Sequence, residues 1–511
     1  MILDWLLALA PILLVLILML GLRWKGIRAG PAGWLVAVLI AALRFGAGWQ
    51  VLLWAQIRAF FLALWVLYII WSALLFYRVT DEAGVIGAIG AGLPRLTTDR
   101  ALQVLLLGWI FGAFLQSMSG FGVPVAVLGP LLVGLGFSPV AAVLIASVGH
   151  SWAITFGSLG SSFYALMAAT GRPGKELAGP SAAMLALCCL LCGAGVLWVA
   201  GKWRLLRRGL APMLVIGLAM SGTQYLAVTH GLWTIGALCG VLAGLAVAVL
   251  WSRIKNDHKR NEEMIDNNPV IGLRWAVVPY ALLVLIVLSA ELIGPVNQFL
   301  GQVVVRVEAP ELVTARGWIV PAGAARTINV FGHAGALLIY TSLITGLVFW
   351  LRGAYRPGTP RRIAGDVVRR AIPSSVGIAT MVGLAVTMSH AGMTHLLADG
   401  ISQLVGQAFP LASPFIGALG AFMTGSNTNS NVVFSMLQEQ VAVLVGMSPL
   451  LALAAQTAGG AIGSMFAPAK VIVGCAPVGA DEGQTMRQTM AYGGTIIVVL
   501  ALVTGALSLV L

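Results

Sequence analysis

The sequence predicts an all-α polytopic membrane protein built from two inverted repeats that carry re-entrant or broken helices. Three observations lead there. The 511 residues are 59% hydrophobic and only 9% charged, where an ordinary soluble domain carries roughly 25% charged residues. Apolar residues come in long unbroken runs such as 6–22 and 60–76, unlike the alternating ~10-residue segments of a membrane β-barrel. One turn motif occurs twice, as Gly136-Phe137-Ser138-Pro139 and Gly446-Met447-Ser448-Pro449.

Mean hydropathy is +0.96. Surface-to-volume scaling leaves a soluble fold no way to hide that much apolar surface, which argues against soluble enzymes, nucleic-acid binders and disordered chains. A bilayer core ~30 Å thick takes about 20 residues per helix, so the length accommodates roughly 12–14 crossings. The net charge of +13 reads as basic residues gathered in cytoplasmic loops. Cys188, Cys189, Cys192, Cys239 and Cys475 all lie in apolar runs, without the spacing of a zinc site or a disulfide framework. Cys189 and Cys192 form a C-x-x-C inside an expected spanning helix, where small core residues are the better reading.

Taken in order, Asp4 precedes the first apolar run and Arg23, Lys25 and Arg28 follow it. That is the pattern of an uncleaved first helix with its N-terminus outside. Runs near 32–53 and 58–77 return the chain inside at Arg78, Arg95 and Arg100. The basic loops 202–208, 253–259 and 352–370 are also placed inside, separated by helices near 210–229 and 232–251, then near 274–299 and 333–351. The loop 300–330 falls outside, as an interfacial or a partly re-entrant segment. A helix near 372–392 and an amphipathic stretch near 396–410 follow. The last helix, near 490–511, ends outside.

Regions 101–170 and 413–475 then enter the membrane from opposite sides. At the offset of the turn motif Ala142 matches Ala452, Phe156 matches Phe466, and 154–160 lies over 464–470. Inverted repeats with interrupted helices at matching places are the signature of secondary transporters. The chain therefore divides into scaffold helices (1–100), a first transport repeat (101–175), further scaffold (176–400), a second, inverted repeat (401–489) and a terminal helix (490–511).

Each repeat opens on a polar break: Gln116-Ser117-Met118-Ser119-Gly120-Phe121-Gly122, and Thr424-Gly425-Ser426-Asn427-Thr428-Asn429-Ser430-Asn431. Seven of the eight residues in the second carry hydroxyl or amide side chains. Lipid does not tolerate that density, whereas a broken helix lining a cavity does. Half-helix N-termini aim N–H groups inward and suit an anion. The competing reading is a helix-packing motif of small polar residues.

Lys470 lies in an apolar run broken only by Pro468. A buried ammonium is costly and points to function, here a counter-charge for an anion; the plainer reading is a lysine snorkelling from a helix end. His150 suits proton relay, against the alternative of a packed, hydrogen-bonded histidine. Glu291, Arg44, Arg58 and His390 are isolated in apolar runs, where structural pairing is the default, although Glu291 is able to titrate. The substrate-binding candidates are Gln116, Ser119, Gly120, Phe121, Ser158, Thr424, Ser426, Asn427, Thr428, Asn429, Ser430, Gln456, Thr457 and Lys470. The coupling candidates are His150, Lys470 and Glu291. With no G-x-S-x-G elbow, zinc-protease motif or P-loop, neither an enzyme nor a cofactor or metal is expected.

At these breaks the sequence resembles the lactate permease family of bacterial secondary transporters. The resemblance rests on Gly120-Phe121-Gly122-Val123-Pro124 with Gly134-Leu135-Gly136-Phe137-Ser138-Pro139, on Ser413-Pro414-Phe415-Ile416-Gly417 through Asn431, and on Ala454-Ala455-Gln456-Thr457-Ala458-Gly459-Gly460. It implies proton-coupled uptake of lactate, glycolate or related short 2-hydroxy monocarboxylates by a multi-pass protein of the bacterial inner membrane. The expected partners are that anion, a proton, membrane lipid and a second copy of the chain; nucleic acid is not expected. The chain departs from the family where Gln116 and Asn427 stand at positions that commonly hold Glu and Asp. Gly149-His150-Ser151-Trp152 replaces Asn-Thr-Ala-Pro, and Ala467-Pro468-Ala469-Lys470 replaces Ser-Pro-Gln-Ser. Two acids are gone and a cation has appeared. The function expected is alternating-access transport of a small organic anion. The alternatives are a different anion (a sulfonate or dicarboxylate), a uniporter in which Lys470 replaces the coupling charge, and a passive anion channel.

Overall fold

A computed structural model describes residues 2–22, 24–118, 122–254 and 273–510. The first half contains α1 (Ile2–Leu16), α2 (Gly26–Leu43), α3 (Trp49–Glu82), α4 (Val85–Gly92), α5 (Arg100–Val104), α6 (Gly112–Met118), α7 (Val123–Gly134), α8 (Pro139–Ser151), α9 (Ser161–Thr170), α10 (Gly174–Thr229) and α11 (Gly236–Ile254). A π-helical turn, Leu105–Phe111, joins α5 to α6. The second half contains α12 (Leu273–Ala276), α13 (Val278–Leu292), α14 (Gly294–Leu300), α15 (Ala334–Leu351), α16 (Thr359–His390), α17 (Met393–Val405), α18 (Phe409–Thr424), α19 (Asn427–Leu444), α20 (Pro449–Gly463), α21 (Pro468–Cys475) and α22 (Glu482–Ser508).

Among the described residues eleven helices are long and apolar enough to cross a membrane, or twelve if the bent pair Val278–Ala290 and Gly294–Leu300 forms one span. This corrects the upper part of the expected range of 12–14. The apolar helices α7 and α8 and the stretch Pro468–Val478 are too short to span alone. The run near 32–53 is also no single helix, because the chain turns at 44–48 between α2 and α3. The α10 helix runs for 56 residues but kinks at Gly201 and Lys202, where its basic cluster lies.

The segment 300–330 is a β-ribbon. Three nested antiparallel pairs, in the register Val304↔Asn329, Glu308↔Ala324 and Leu312↔Val320, make one long hairpin. It lies across helix ends: Ala315 N–H donates to Gly46 O (2.8 Å), the Arg58 guanidinium to Pro321 O (3.0 Å) and the Trp318 indole to Ser389 O (3.2 Å).

By their main contacts the helices fall into two groups, which share one buried core and meet where α3 packs on α9 and α16 on α19. One is a row in which each member packs on the next: α1, α2, α16, α3, α15, α13. The other gathers α6–α11 and α18–α22. Within it α10 lies along α8 and α20, α22 lies along α18, α20 and α8, α9 packs on α19, and α21 packs on α7. The helix α20 is its centre, with every residue from Leu451 to Gly463 buried. A helix buried all round has no face for lipid or water. It approaches α18 so closely that a Cβ on Gly459 would stand 2.1 Å from Pro414 O, and one on Gly417 2.1 Å from Gln456 O.

Elements recur in the same order along the two halves. A long helix (α3, α16) leads to a short one (α4, α17), then to a helix, break and second helix (α5–α7, α18–α19), a buried helix (α8, α20), a short one after a further break (α9, α21) and a long last one (α10, α22). The repeated turn motif is built the same way both times. Gly136 and Gly446 take left-handed φ values of +85° and +73°. Phe137 N–H bonds to Leu132 O and Met447 N–H to Ala442 O, while Gly136 and Gly446 bond to Val133 O and Val443 O. This is a Schellman stop. Ser138 and Ser448 then stand at the N-cap position, with Pro139 and Pro449 starting the next helix.

Candidate functional site

The second-half break brings the amide-rich segment into the protein interior. Thr424 Oγ1 closes the end of α18 by bonding Gly420 O (2.8 Å) and Ser426 O (3.0 Å). Ser426 caps α19, its Oγ accepting from Asn429 N–H (3.4 Å). The first turn of α19 then buries Asn427, Thr428, Ser430 and Asn431, with Asn429 half-buried.

Two hydrogen-bonded groups form there, and they differ in kind. In the first, Asn427 Nδ2 donates to Thr155 Oγ1 (3.1 Å) and Thr457 O (3.2 Å), and Asn431 Nδ2 to Ser162 O (2.9 Å) and Thr457 Oγ1 (2.9 Å). Thr155 Oγ1 meets Thr457 Oγ1 at 3.2 Å, and Ser162 Oγ meets Thr428 Oγ1 at 3.0 Å. Carbonyl oxygens only accept, so each asparagine must turn its NH2 toward them. The Oδ1 atoms of Asn427 and Asn431 are left buried without a partner, as is that of Asn429. In the second group, Gln456 Nε2 donates to Ser430 Oγ (2.9 Å), Ser430 Oγ to Gly417 O (2.7 Å) and Ser413 Oγ to Gln438 Oε1 (2.5 Å), while Gln438 Nε2 donates to Gln456 Oε1. These amides are saturated and tie α18, α19 and α20 together.

In the first half, residues 152–157 leave helical hydrogen bonding between α8 and α9. Ser158 and Leu159 follow at φ +47° and +57°, in the left-handed region that buried non-glycine residues seldom enter. Gln116, near the end of α6, donates from Nε2 to Ser158 Oγ (3.3 Å), and its Oε1 is buried without a partner. Ser119, Gly120 and Phe121 lie outside the described residues.

The second break of the second half carries Lys470. The helix stops at Phe466, Pro468 opens α21, and Lys470 sits in its first turn, 9% exposed. Its Nζ donates to Ser464 Oγ (3.0 Å). Among the described residues no Asp or Glu is buried, and the buried charged groups besides histidine are Lys470 and Arg78. His150, at the end of α8, is 1% exposed, and α8 packs on α21, the helix that carries Lys470. Glu291 lies in α13, at the end of the helix row, and its side chain is outside the described residues.

The structure thus sets Asn427 and Thr457 against Thr155, and Thr428 against Ser162, across the two halves, places Gln116 on Ser158, and ties Ser430 to Gln456. Thr155, Ser162, Asn431 and Ser464 are contact residues that sequence reasoning did not single out as binding candidates. Thr155 and Ser162 flank the first-half break and carry no local signal. Among the described residues no group of three His, Cys, Asp or Glu side chains is placed to hold a metal. The unpartnered amide oxygens are hydrogen-bond acceptors and the Lys470 ammonium is a donor without a carboxylate among the described residues.

The family model described as L-lactate permease matches residues 4–511. The L-lactate permease of Bacillus subtilis is 27% identical, over 99% of this chain and 96% of its own length. That of Salmonella typhimurium is 26% identical, over 96% and 93%, and the glycolate permease GlcA of Escherichia coli 27%, over 98% and 95%. The crystal structure of the Alcanivorax borkumensis YdaH transporter shares the fold, with a TM-score of 0.54 at 13% identity, covering 94% of this chain and 98% of that one. Matched by that family model over nearly its whole length, the chain is a permease and not an enzyme: it belongs to the L-lactate permease family.

Proposed function

We propose that the chain is a secondary transporter of a short 2-hydroxy monocarboxylate, of the lactate or glycolate type, working by alternating access in a bacterial inner membrane. The observation that carries this reading is Lys470, a buried ammonium with one hydroxyl partner and no carboxylate beside it. An uncompensated buried cation is expensive unless a ligand supplies the negative charge. A monocarboxylate supplies one charge for one, and the names of the relatives fit that class.

The matching element orders support inverted repeats with the breaks meeting near the midplane. In this reading the six-helix row is the scaffold and the second group moves against it, joined through α4 and α17. This assigns α10 and α11, within the segment 176–400, to the moving unit. Proton-linked uptake is the family's expectation, with His150 and Lys470 the titratable groups beside the breaks. A second reading has its own support: Gln116 and Asn427 stand where the family commonly has acids, and no Asp or Glu is buried among the described residues. Lys470 would then supply a fixed charge, in a uniporter or in a carrier of a sulfonate or dicarboxylate.

The test is uptake of labelled L-lactate into proteoliposomes with and without an inward proton gradient. Saturable uptake that accumulates only with the gradient supports proton symport. Saturable uptake indifferent to it supports the fixed-charge reading. Uptake that never saturates would mean a channel, and no uptake by folded protein would remove lactate as substrate.

A further inference from the structure

His150 is held by only one of its two ring nitrogens. Its Nδ1 lies 2.7 Å from Ala146 O. A carbonyl only accepts, so Nδ1 carries the proton and the neutral ring presents a bare lone pair at Nε2. That Nε2 is buried and has no partner among the described residues. Unpaired buried acceptors are rare and call for an explanation.

The surroundings supply one. The helix α8 packs against α21 and against the turn Ser464–Phe466. The residue after His150, Ser151, donates from Oγ to Met465 Sδ (3.1 Å), and Met465 follows Ser464, the partner of Lys470. The packed elements α8 and α21, with the turn before α21, therefore carry an acceptor lacking a donor on one side and a cation on a hydroxyl on the other. A 2-hydroxy acid has the complementary pair, a carboxylate and an O–H on adjoining carbons.

We propose that His150 selects 2-hydroxy acids: its Nε2 accepts the substrate hydroxyl while the Lys470 ammonium holds the carboxylate. This deepens the carboxylate-transport reading above and rests on it. An acid without the hydroxyl leaves Nε2 buried and unpaired, and sites built to hydrogen-bond a substrate hydroxyl reject the analogue lacking it.

The test is binding of L-lactate and of propionate to the purified full chain, each measured directly, in wild type, His150→Phe and His150→Gln. Wild type is expected to favour lactate by roughly tenfold or more. In His150→Phe that preference falls to near unity, mostly through weaker lactate binding. His150→Gln keeps an acceptor at similar reach and restores part of the preference, which a purely packing histidine would not require. Equal binding of the two acids by wild type overturns the selectivity role and leaves the carboxylate reading standing. So does an undiminished preference in a folded His150→Phe protein, or in His150→Ala where the phenylalanine is not accommodated. Binding of neither acid by wild type overturns the carboxylate reading and this inference with it.

Discussion

Two buried cations in this molecule have opposite surroundings. Arg78, near the end of α3, is 9% exposed and is met by Asp81 (2.5 Å), Glu82 (2.8 Å) and Asp366 (2.8 Å). Two of those carboxylates take further arginines, Arg362 on Glu82 (3.1 Å) and Arg369 on Asp366. Lys470 is equally buried and has one hydroxyl. Arg78 is compensated by fixed groups and joins α3 to α16 within the helix row. Lys470 has no such fixed counter-charge among the described residues, and under the proposed function the transported anion supplies it. Burial alone does not mark a functional charge; the missing counter-ion does.

The contrast gives opposite expectations for removing each charge. Arg78→Met leaves three carboxylates facing one another in a partly buried cluster, so stability should fall by about 3–5 kcal/mol. The readout is the melting temperature of the protein in detergent. A variant that melts like wild type would show that the cluster does not hold α3 to α16. Lys470→Gln should instead lower lactate uptake about 100-fold, as for a lost charged hydrogen bond. Its melting temperature should stay level or rise, because an unpaired cation has left the interior. Transport of the same anion with unchanged affinity would sink the counter-charge role.

The same comparison sharpens within the amide groups. Asn427→Ala strips the bonds to Thr155 and Thr457 and should lower stability by about 1–3 kcal/mol, with a severalfold loss of uptake. Gln456→Leu breaks a saturated tie and should lower stability by a similar amount, with uptake per folded molecule preserved. Equal uptake losses in the two variants would erase the distinction between open and saturated amides. The smallest effect belongs to Arg306→Ala. Its pairing with Glu308 in the β-ribbon leaves both side chains more than half exposed, so stability should change by about 0–1 kcal/mol, within the scatter of melting curves.

Much of this was legible in the residues. The hydropathy of the runs placed most of the spanning helices. The repeated Gly-x-Ser-Pro located the two Schellman turns, because a left-handed glycine, an N-cap serine and an N1 proline act through their own backbones. The density of amides in 424–431 located the start of α19 inside the protein. The ribbon at 304–329 was not legible, since its strands are two residues long and depend on partners up to 25 residues away. Nor was the shortfall in crossings, because α7 and α8 are apolar enough to span and too short to do so.

By itself the sequence determined the membrane class, the turns, the sites of the breaks and the presence of a lysine in an apolar run. These follow from side-chain hydropathy and local stereochemistry, which act over a few residues. Only the tertiary structure decided which polar groups are open and which are spent. Thr155 meets Thr457 across 302 residues of chain, and Ser162 meets Thr428 across 266. Gln456 and Asn427 are both amides beside a break, yet one is saturated and the other keeps an unpartnered oxygen. Whether a buried polar group is structure or site depends on the donors and acceptors that distant segments bring to it, and no local pattern records that.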